Sequence, residues 1–236
     1  SPAPDRAALT AQGSDEERNA ILRSRLEAGI HRLAFFIVPC AVAFLVLGDV
    51  VAGAVFQTGQ FGPADSRYVW AILAGSTVGL LASTMSRLSS STFYALGDTR
   101  TPLRFAVVRV ALTTVLGFAC AVPLPRALGI ELRWGAVGLT ATAGFAGWVE
   151  FLLLRSRLAA RIGAARFEPW YMAKLWLAAL AAAAAAWGIL RGVGPLGPIA
   201  ASVAGLVPYA AVYGAATLAL RIPIARALLD RGLRRA

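Results

Sequence analysis

The stretch Ser91–Arg104, STFYALGDTRTPLR, places Asp98, Arg100 and Arg104 within seven residues, between two long apolar runs at about 69–90 and 105–124. Each run has close to the about 20 residues that a helix rising about 1.5 Å per residue needs to cross about 30 Å of hydrocarbon. Gly97 and Pro102 break the two helices and the charges hold the turn out of the lipid, so the whole reads as a transmembrane hairpin. Working outward, four more apolar runs lie at about 33–56, 135–154, 172–190 and 198–220. Backbone groups in lipid must pair within the segment, and the runs are about twice the length of a barrel strand, which leaves helices. The expected fold class is all-α integral membrane, with six transmembrane helices.

Composition agrees with that class. The 236 residues are 58% hydrophobic with a net charge of +11 and a mean hydropathy of +0.67. In a soluble chain that charge would suggest nucleic acid; here the cations sort by side of the membrane, and no nucleic-acid partner is expected. Cys40 and Cys120 fall inside apolar runs and offer no disulfide framework. The chain opens Ser-Pro-Ala-Pro without a cationic segment and cleavage site, so no signal peptide is expected, and the sequence reads as part of a longer protein.

Sixteen arginines flank the runs on the side of the N-terminus, against Arg67, Arg126, Arg133 and Arg191 on the other. The positive-inside rule then makes both termini and the Ser91–Arg104 turn cytoplasmic, with anionic phospholipids as the natural partners of the surplus. The expected organisation is a cytoplasmic polar connector at 1–31, four transmembrane helices at 32–156, a basic cytoplasmic loop at 157–171, a final helix pair at 172–220 and a basic tail at 221–236. Leu22, Leu26, Ile30 and Leu33 recur at helical spacing, so the connector is read as a short amphipathic helix entering the first span.

The order of residues in the turn carries more than topology. Phe93-Tyr94-Ala95-Leu96-Gly97-Asp98-Thr99-Arg100-Thr101-Pro102 resembles the "FYALxDTRTP" turn of the MurJ/MviN family, bacterial lipid II flippases of the MOP superfamily, and Val55-Phe56-Gln57-Thr58-Gly59-Gln60-Phe61 resembles that family's "LFxxGxF". The two stand in the family's order, and the likeness extends over nearly the whole chain. It implies helices nine to fourteen of a fourteen-helix fold, with the N-terminal lobe as a missing partner. It implies transport of an undecaprenyl-linked peptidoglycan precursor across the bacterial inner membrane by alternating access. It also implies a non-enzyme without cofactor, whose coupling to membrane potential or to a monovalent cation is not assignable. In some family members polar residues of the third and fourth spans form a cation site; here Gly117 stands at the expected amide position, with Thr140 and Thr142 nearby.

Charges within the spans mark the candidate substrate cavity, because they are expensive in lipid and face a cavity or a partner. Arg87, Arg109 and Glu150 lie at similar depth, roughly 6–8 Å inside the basic boundary. Arg109 and Glu150 are within reach of each other, which leaves Arg87 less compensated and suited to grip pyrophosphate bidentately. Asp98 and Arg100 are expected to cap and lock adjacent helix ends.

The cluster Ser83, Thr84, Ser86, Ser89, Ser90, Ser91 and Thr92 has no histidine base beside it, His31 being elsewhere, and is read as packing and back-bonding. No catalytic or metal-ligand spacing is seen. The alanine-rich fifth span, Leu177–Trp187, suits either close helix packing or a greasy groove for a polyprenyl tail. The alternatives are a flippase of another polyprenyl-linked glycan, such as O-antigen or exopolysaccharide, a membrane enzyme acting on polyprenyl phosphates, and a non-transporting scaffold in cell-wall assembly.

Overall fold

The computed structural model describes residues 6–56, 62–129, 131–166, 168–193 and 197–233, with the side chains of residues 6–14, 63, 64 and 230–233 outside that description. Regular structure in it is helical: α1 (Arg6–Val46), α2 (Gly48–Phe56), α3 (Pro63–Ala95), α4 (Arg100–Ala121), α5 (Pro123–Leu128), α6 (Gly135–Ile162), α7 (Pro169–Gly192), α8 (Pro198–Ala219) and α9 (Pro223–Leu233). Helices α1, α3, α4, α6, α7 and α8 provide six stretches long and apolar enough to cross a membrane, so this is a multi-pass membrane protein. Gln57 to Phe61 of the second family-like motif lie outside the described residues.

Helix α1 divides the bundle. On one side it packs against α3, which with α4 and α6 forms a three-helix layer; on the other it packs against the α7–α8 hairpin. Leu26, Ile30, Ala34, Val38 and Val42 recur every fourth residue along it and all are buried, the spacing that puts side chains on one helical face. The expected short amphipathic helix is not a separate element. Residues 6–46 are one continuous helix, and Leu26 and Ile30 of the apolar stripe belong to the core cluster with Phe151 and Leu158. The stripe serves the bundle, and Glu27 of the same segment accepts the Arg166 N–H at 2.7 Å, docking α1 onto the loop after α6.

The first apolar run, expected as one span, is broken between Val46 and Gly48. Two backbone interruptions in it are met by side chains from other helices. Pro39 lies inside α1 and has no N–H, so the Phe35 carbonyl one turn earlier loses its helical donor. The Tyr213 hydroxyl of α8 donates to that carbonyl at 2.7 Å, and Tyr209 donates to the Pro39 carbonyl at 2.8 Å. At the break itself the Trp70 indole of α3 donates to the Leu45 carbonyl at 3.2 Å. Lipid supplies no substitute donor, which is why such positions need neighbours.

Helices α3 and α6 cross at Gly79 and Gly144. A Cβ built on Gly144 would stand 2.7 Å from the Gly79 nitrogen, so the crossing admits only glycine and the backbones meet directly. Beside it the Trp148 indole donates to the Val78 carbonyl at 2.8 Å, an internal tie rather than a place in an interfacial belt. In α7 the residues Ala178, Ala179, Ala182, Ala183 and Ala186 are buried; on that face close packing against α1 and α8, not a groove, is what the alanines provide.

Candidate functional site

The turn after α3 is built from backbone chemistry. Gly97 adopts φ +74°; its N–H donates to the Tyr94 carbonyl and the Asp98 N–H to the Phe93 carbonyl, both at 3.0 Å. This is the Schellman closure, which needs a left-handed residue and therefore favours glycine. Asp98 then caps the next helix: its Oδ1 accepts the N–H groups of Arg100 at 3.1 Å and Thr101 at 3.0 Å, and its Oδ2 accepts the Thr101 hydroxyl at 2.7 Å. Pro102 sits in the first turn of α4, where a missing N–H costs nothing. Phe93 is fully buried beneath the turn and Tyr94 is exposed.

The side-chain lock differs from the expected one. Asp98 pairs at 2.9 Å with Arg161, in the last turn of α6, while Arg100 contributes its backbone N–H. The Thr101 N–H, then the Thr101 hydroxyl, and less strongly Arg161 and the Arg100 N–H, hold the Asp98 carboxyl below its ordinary value of 3.8 against the opposing effect of desolvation. Arg161, counted in the sequence only as a topological cation, thus ties the α3–α4 turn to α6. A lone arginine 63 residues from its partner carries no sequence signal of that role.

Above this latch a cavity of about 710 Å³ opens between α3, α4 and α6, and Arg87, Arg109 and Glu150 all line it. Arg109 donates from Nη1 to Glu150 Oε2 at 3.1 Å, with Glu150 nearly buried. Arg87 is exposed to the cavity and makes no ion pair among the described residues. The three residues share one space with Arg100 of the turn; Arg109 and Glu150 satisfy each other, and neither Arg87 nor Arg100 makes an ion pair among the described residues.

Helix α3 contributes a face of Ser83, Ser86, Arg87, Ser90 and Tyr94 to the same cavity. Most of the hydroxyl cluster back-bonds as expected: Ser83 and Thr84 donate to the Leu80 carbonyl, Ser89 to Met85, and Ser91 and Thr92 to Leu88. Ser86 differs, being buried with an Oγ that has no partner. The recurrence of these residues at three- and four-residue spacing was the signal that could have separated them from the rest of the cluster.

At the level of Gly117 the described side chains serve helix packing. A Cβ on Gly117 would approach Thr142 Oγ1 at 3.6 Å, but no side-chain oxygen comes from that position. Thr142 donates to the Leu139 carbonyl, Thr140 to the Val137 and Ile72 carbonyls, and Glu150, two turns on, is committed to Arg109.

A family model described as "Lipid II flippase MurJ" matches residues 8–196. Similar curated relatives are probable lipid II flippases MurJ from three bacteria. That of Rhizobium meliloti is 34% identical over 52% of this chain and 21% of the relative, that of Vibrio cholerae 24% over 65% and 28%, and that of Haemophilus influenzae 24% over 73% and 32%. The chain thus spans between about a fifth and a third of the length of these three relatives. A solved structure, "Lipid II flippase MurJ, inward closed conformation", shares the fold with a TM-score of 0.67 at 17% identity, over 87% of this chain and 41% of that one. That match covers most of the chain, from the first turn of α1 to just past α7, and the chain belongs to the lipid II flippase MurJ family.

Proposed function

We propose that the chain is the C-terminal part of a flippase that moves an undecaprenyl-pyrophosphate-linked peptidoglycan precursor from the inner to the outer leaflet of the bacterial inner membrane. The carrying observation is Arg87, within a span and without an ion pair among the described residues, in a cavity of about 710 Å³ where Arg109 and Glu150 satisfy each other and Arg100 adds a second cation from the turn. A polar, doubly charged head cannot cross hydrocarbon unaided, and a free guanidinium can take pyrophosphate in two parallel hydrogen bonds. The Arg109–Glu150 pair keeps the wall polar without competing for the anion.

Alternating access follows if the rest of a longer protein supplies the facing lobe and the two rock about this cavity. The Asp98–Arg161 latch would make α3, α4 and α6 move as one body. The basic end of the bundle, where the α3–α4 turn and the loop after α6 meet, would face the cytoplasm under the positive-inside rule. Membrane potential can drive such a cycle through moving charges; no step is assigned to an ion.

The test is complementation of a bacterium depleted of its own lipid II flippase by the full-length gene that encodes this chain, with Arg87 intact or changed to Ala. Rescue by the intact gene alone supports the reading. Rescue by both removes Arg87 from the cavity's work, and rescue by neither, with the protein in the membrane, redirects the assignment to another polyprenyl-linked glycan.

A further inference from the structure

A second cavity, of about 620 Å³, lies on the opposite side of α1, between α1, α7 and the α8–α9 turn. Three cations line it from three elements: Arg32 of α1, Lys174 of α7 and Arg221 of the turn. Its other charged group is Glu168, which also lines it. None of the four makes an ion pair among the described residues, and Lys174 lies over the Trp170 ring at 5.7 Å from the centroid. Most of the remaining wall is apolar, including Phe36, Trp170, Ile224 and Leu228, with the His31 imidazole and Tyr171 as its other polar side chains. Phe36 and Trp170 are half to two-thirds exposed.

Arg221 is the informative residue. Its N–H donates to the Leu218 carbonyl and the Ile222 N–H to the Thr217 carbonyl, both at 3.0 Å. This is the same closure that ends α3, where Gly97 takes the left-handed position. At the end of α8 that position is held by Arg221, with φ +56°, a conformation an L side chain adopts at a cost that glycine avoids. The turn alone does not need an arginine; what the side chain adds is a third cation on the cavity.

The level of the cavity identifies the occupant. Arg32 directly precedes the first apolar run, Lys174 is in the second turn of α7, and Arg221 is the second residue after α8. Cations over an apolar floor at a span boundary match a lipid phosphate with its acyl chains below, whereas a soluble anion would gain nothing from Phe36, Ile224 and Leu228. We infer that this cavity is a binding site for the phosphate headgroup of an anionic membrane phospholipid, distinct from the cavity that holds Arg87. The inference does not rest on the proposed transport activity.

The test titrates the full 236-residue chain in detergent with short-chain phosphatidylglycerol, short-chain phosphatidylcholine and inorganic phosphate, and follows thermal unfolding in parallel. Phosphatidylglycerol is expected to bind most tightly. Arg221→Gly is expected to weaken it about five-fold, the effect of one cation near the surface, without lowering the unfolding temperature, because glycine suits the turn better. Arg221→Lys is expected to retain binding. Should the glycine variant fail to fold, Arg32→Gln and Lys174→Gln, both outside the turn, are expected to weaken phosphatidylglycerol by a similar factor. Unchanged phosphatidylglycerol binding in these neutral variants overturns the site, as does equal affinity for phosphatidylcholine. Equal affinity for inorganic phosphate overturns the lipid assignment.

Discussion

Between α3, α4 and α6 a cavity of about 710 Å³ holds an ion pair, two arginines outside any ion pair among the described residues and a row of hydroxyls; across α1, one of about 620 Å³ holds three cations against a mostly apolar wall. Apart from Arg100 of the turn, the first has its charges inside the spans, where Glu150 can be kept only against Arg109, and where Arg87 is costly unless something anionic visits it. The second has them at the boundary, where water and headgroups make unpaired cations cheap. Depth, more than the number of basic residues, separates a cavity suited to a passing polar head from one suited to a resident lipid.

The largest effect is expected at the crossing of α3 and α6, two of the helices that frame the first cavity. Gly79→Leu or Gly144→Leu would force the α3 and α6 backbones apart, at or above the about 3 kcal/mol upper range of ordinary overpacking. Size-exclusion chromatography and thermal unfolding in detergent should show loss of the folded monomeric species. A variant that folds normally would mean that the crossing is looser than the 2.7 Å approach at Gly144 implies.

Next is the ion pair. Arg109→Leu strands a nearly buried Glu150, and for a pair only partly enclosed a loss of about 2–3 kcal/mol is expected. The double variant Arg109→Leu, Glu150→Leu should recover most of it, since no charge is then left alone. Equal destabilisation in single and double variants would make the arginine's packing, not the pair, the stabilising feature.

On the other side of α1 the expected effect is smaller. Tyr213→Phe leaves the Phe35 carbonyl opposite Pro39 without its donor, a loss of about 1 kcal/mol. Pro39→Ala in the same background should restore it by returning a backbone N–H to that carbonyl. The measurement is again thermal unfolding, and it separates the hydroxyl from the ring.

The smallest effect is a pH dependence. The folded Asp98 carboxyl titrates below its ordinary 3.8, so the stability it adds is complete above that value and is lost as pH falls through the lower, folded value. The parent should therefore lose part of its advantage over Asp98→Asn at pH 3 and show a constant advantage from pH 6 to 8. An advantage that changes between pH 6 and 8 would point to another group.

The spans, the hairpin and the reach of Arg109 to Glu150 were legible because each follows from local apolar length and helical rise. Continuity of α1 was not. Its polar first half looks like a separate element until Leu26 and Ile30 meet Phe151 and Leu158, residues more than a hundred positions away. The Tyr213 donor for the carbonyl behind Pro39, and the Arg161 partner of Asp98, are likewise long-range choices among many tyrosines and arginines. The spacing of Ser83, Ser86 and Ser90 could have placed them on one face but could not show that Ser86 lacks a back-bond, since a hydroxyl that back-bonds and one that does not are spelled alike. Arg221 was hidden because a left-handed position at a helix end is ordinarily announced by glycine.

The most direct measurement of the two-cavity account is native mass spectrometry of the chain with undecaprenyl pyrophosphate and with phosphatidylglycerol, comparing Arg87→Ala with Arg221→Gly. Arg87→Ala is expected to weaken the pyrophosphate lipid about ten-fold, the worth of one charge-assisted contact, and to leave phosphatidylglycerol unchanged. Arg221→Gly is expected to do the reverse. Loss of the pyrophosphate lipid in Arg221→Gly but not in Arg87→Ala would contradict the assignment of the first cavity to the transported head.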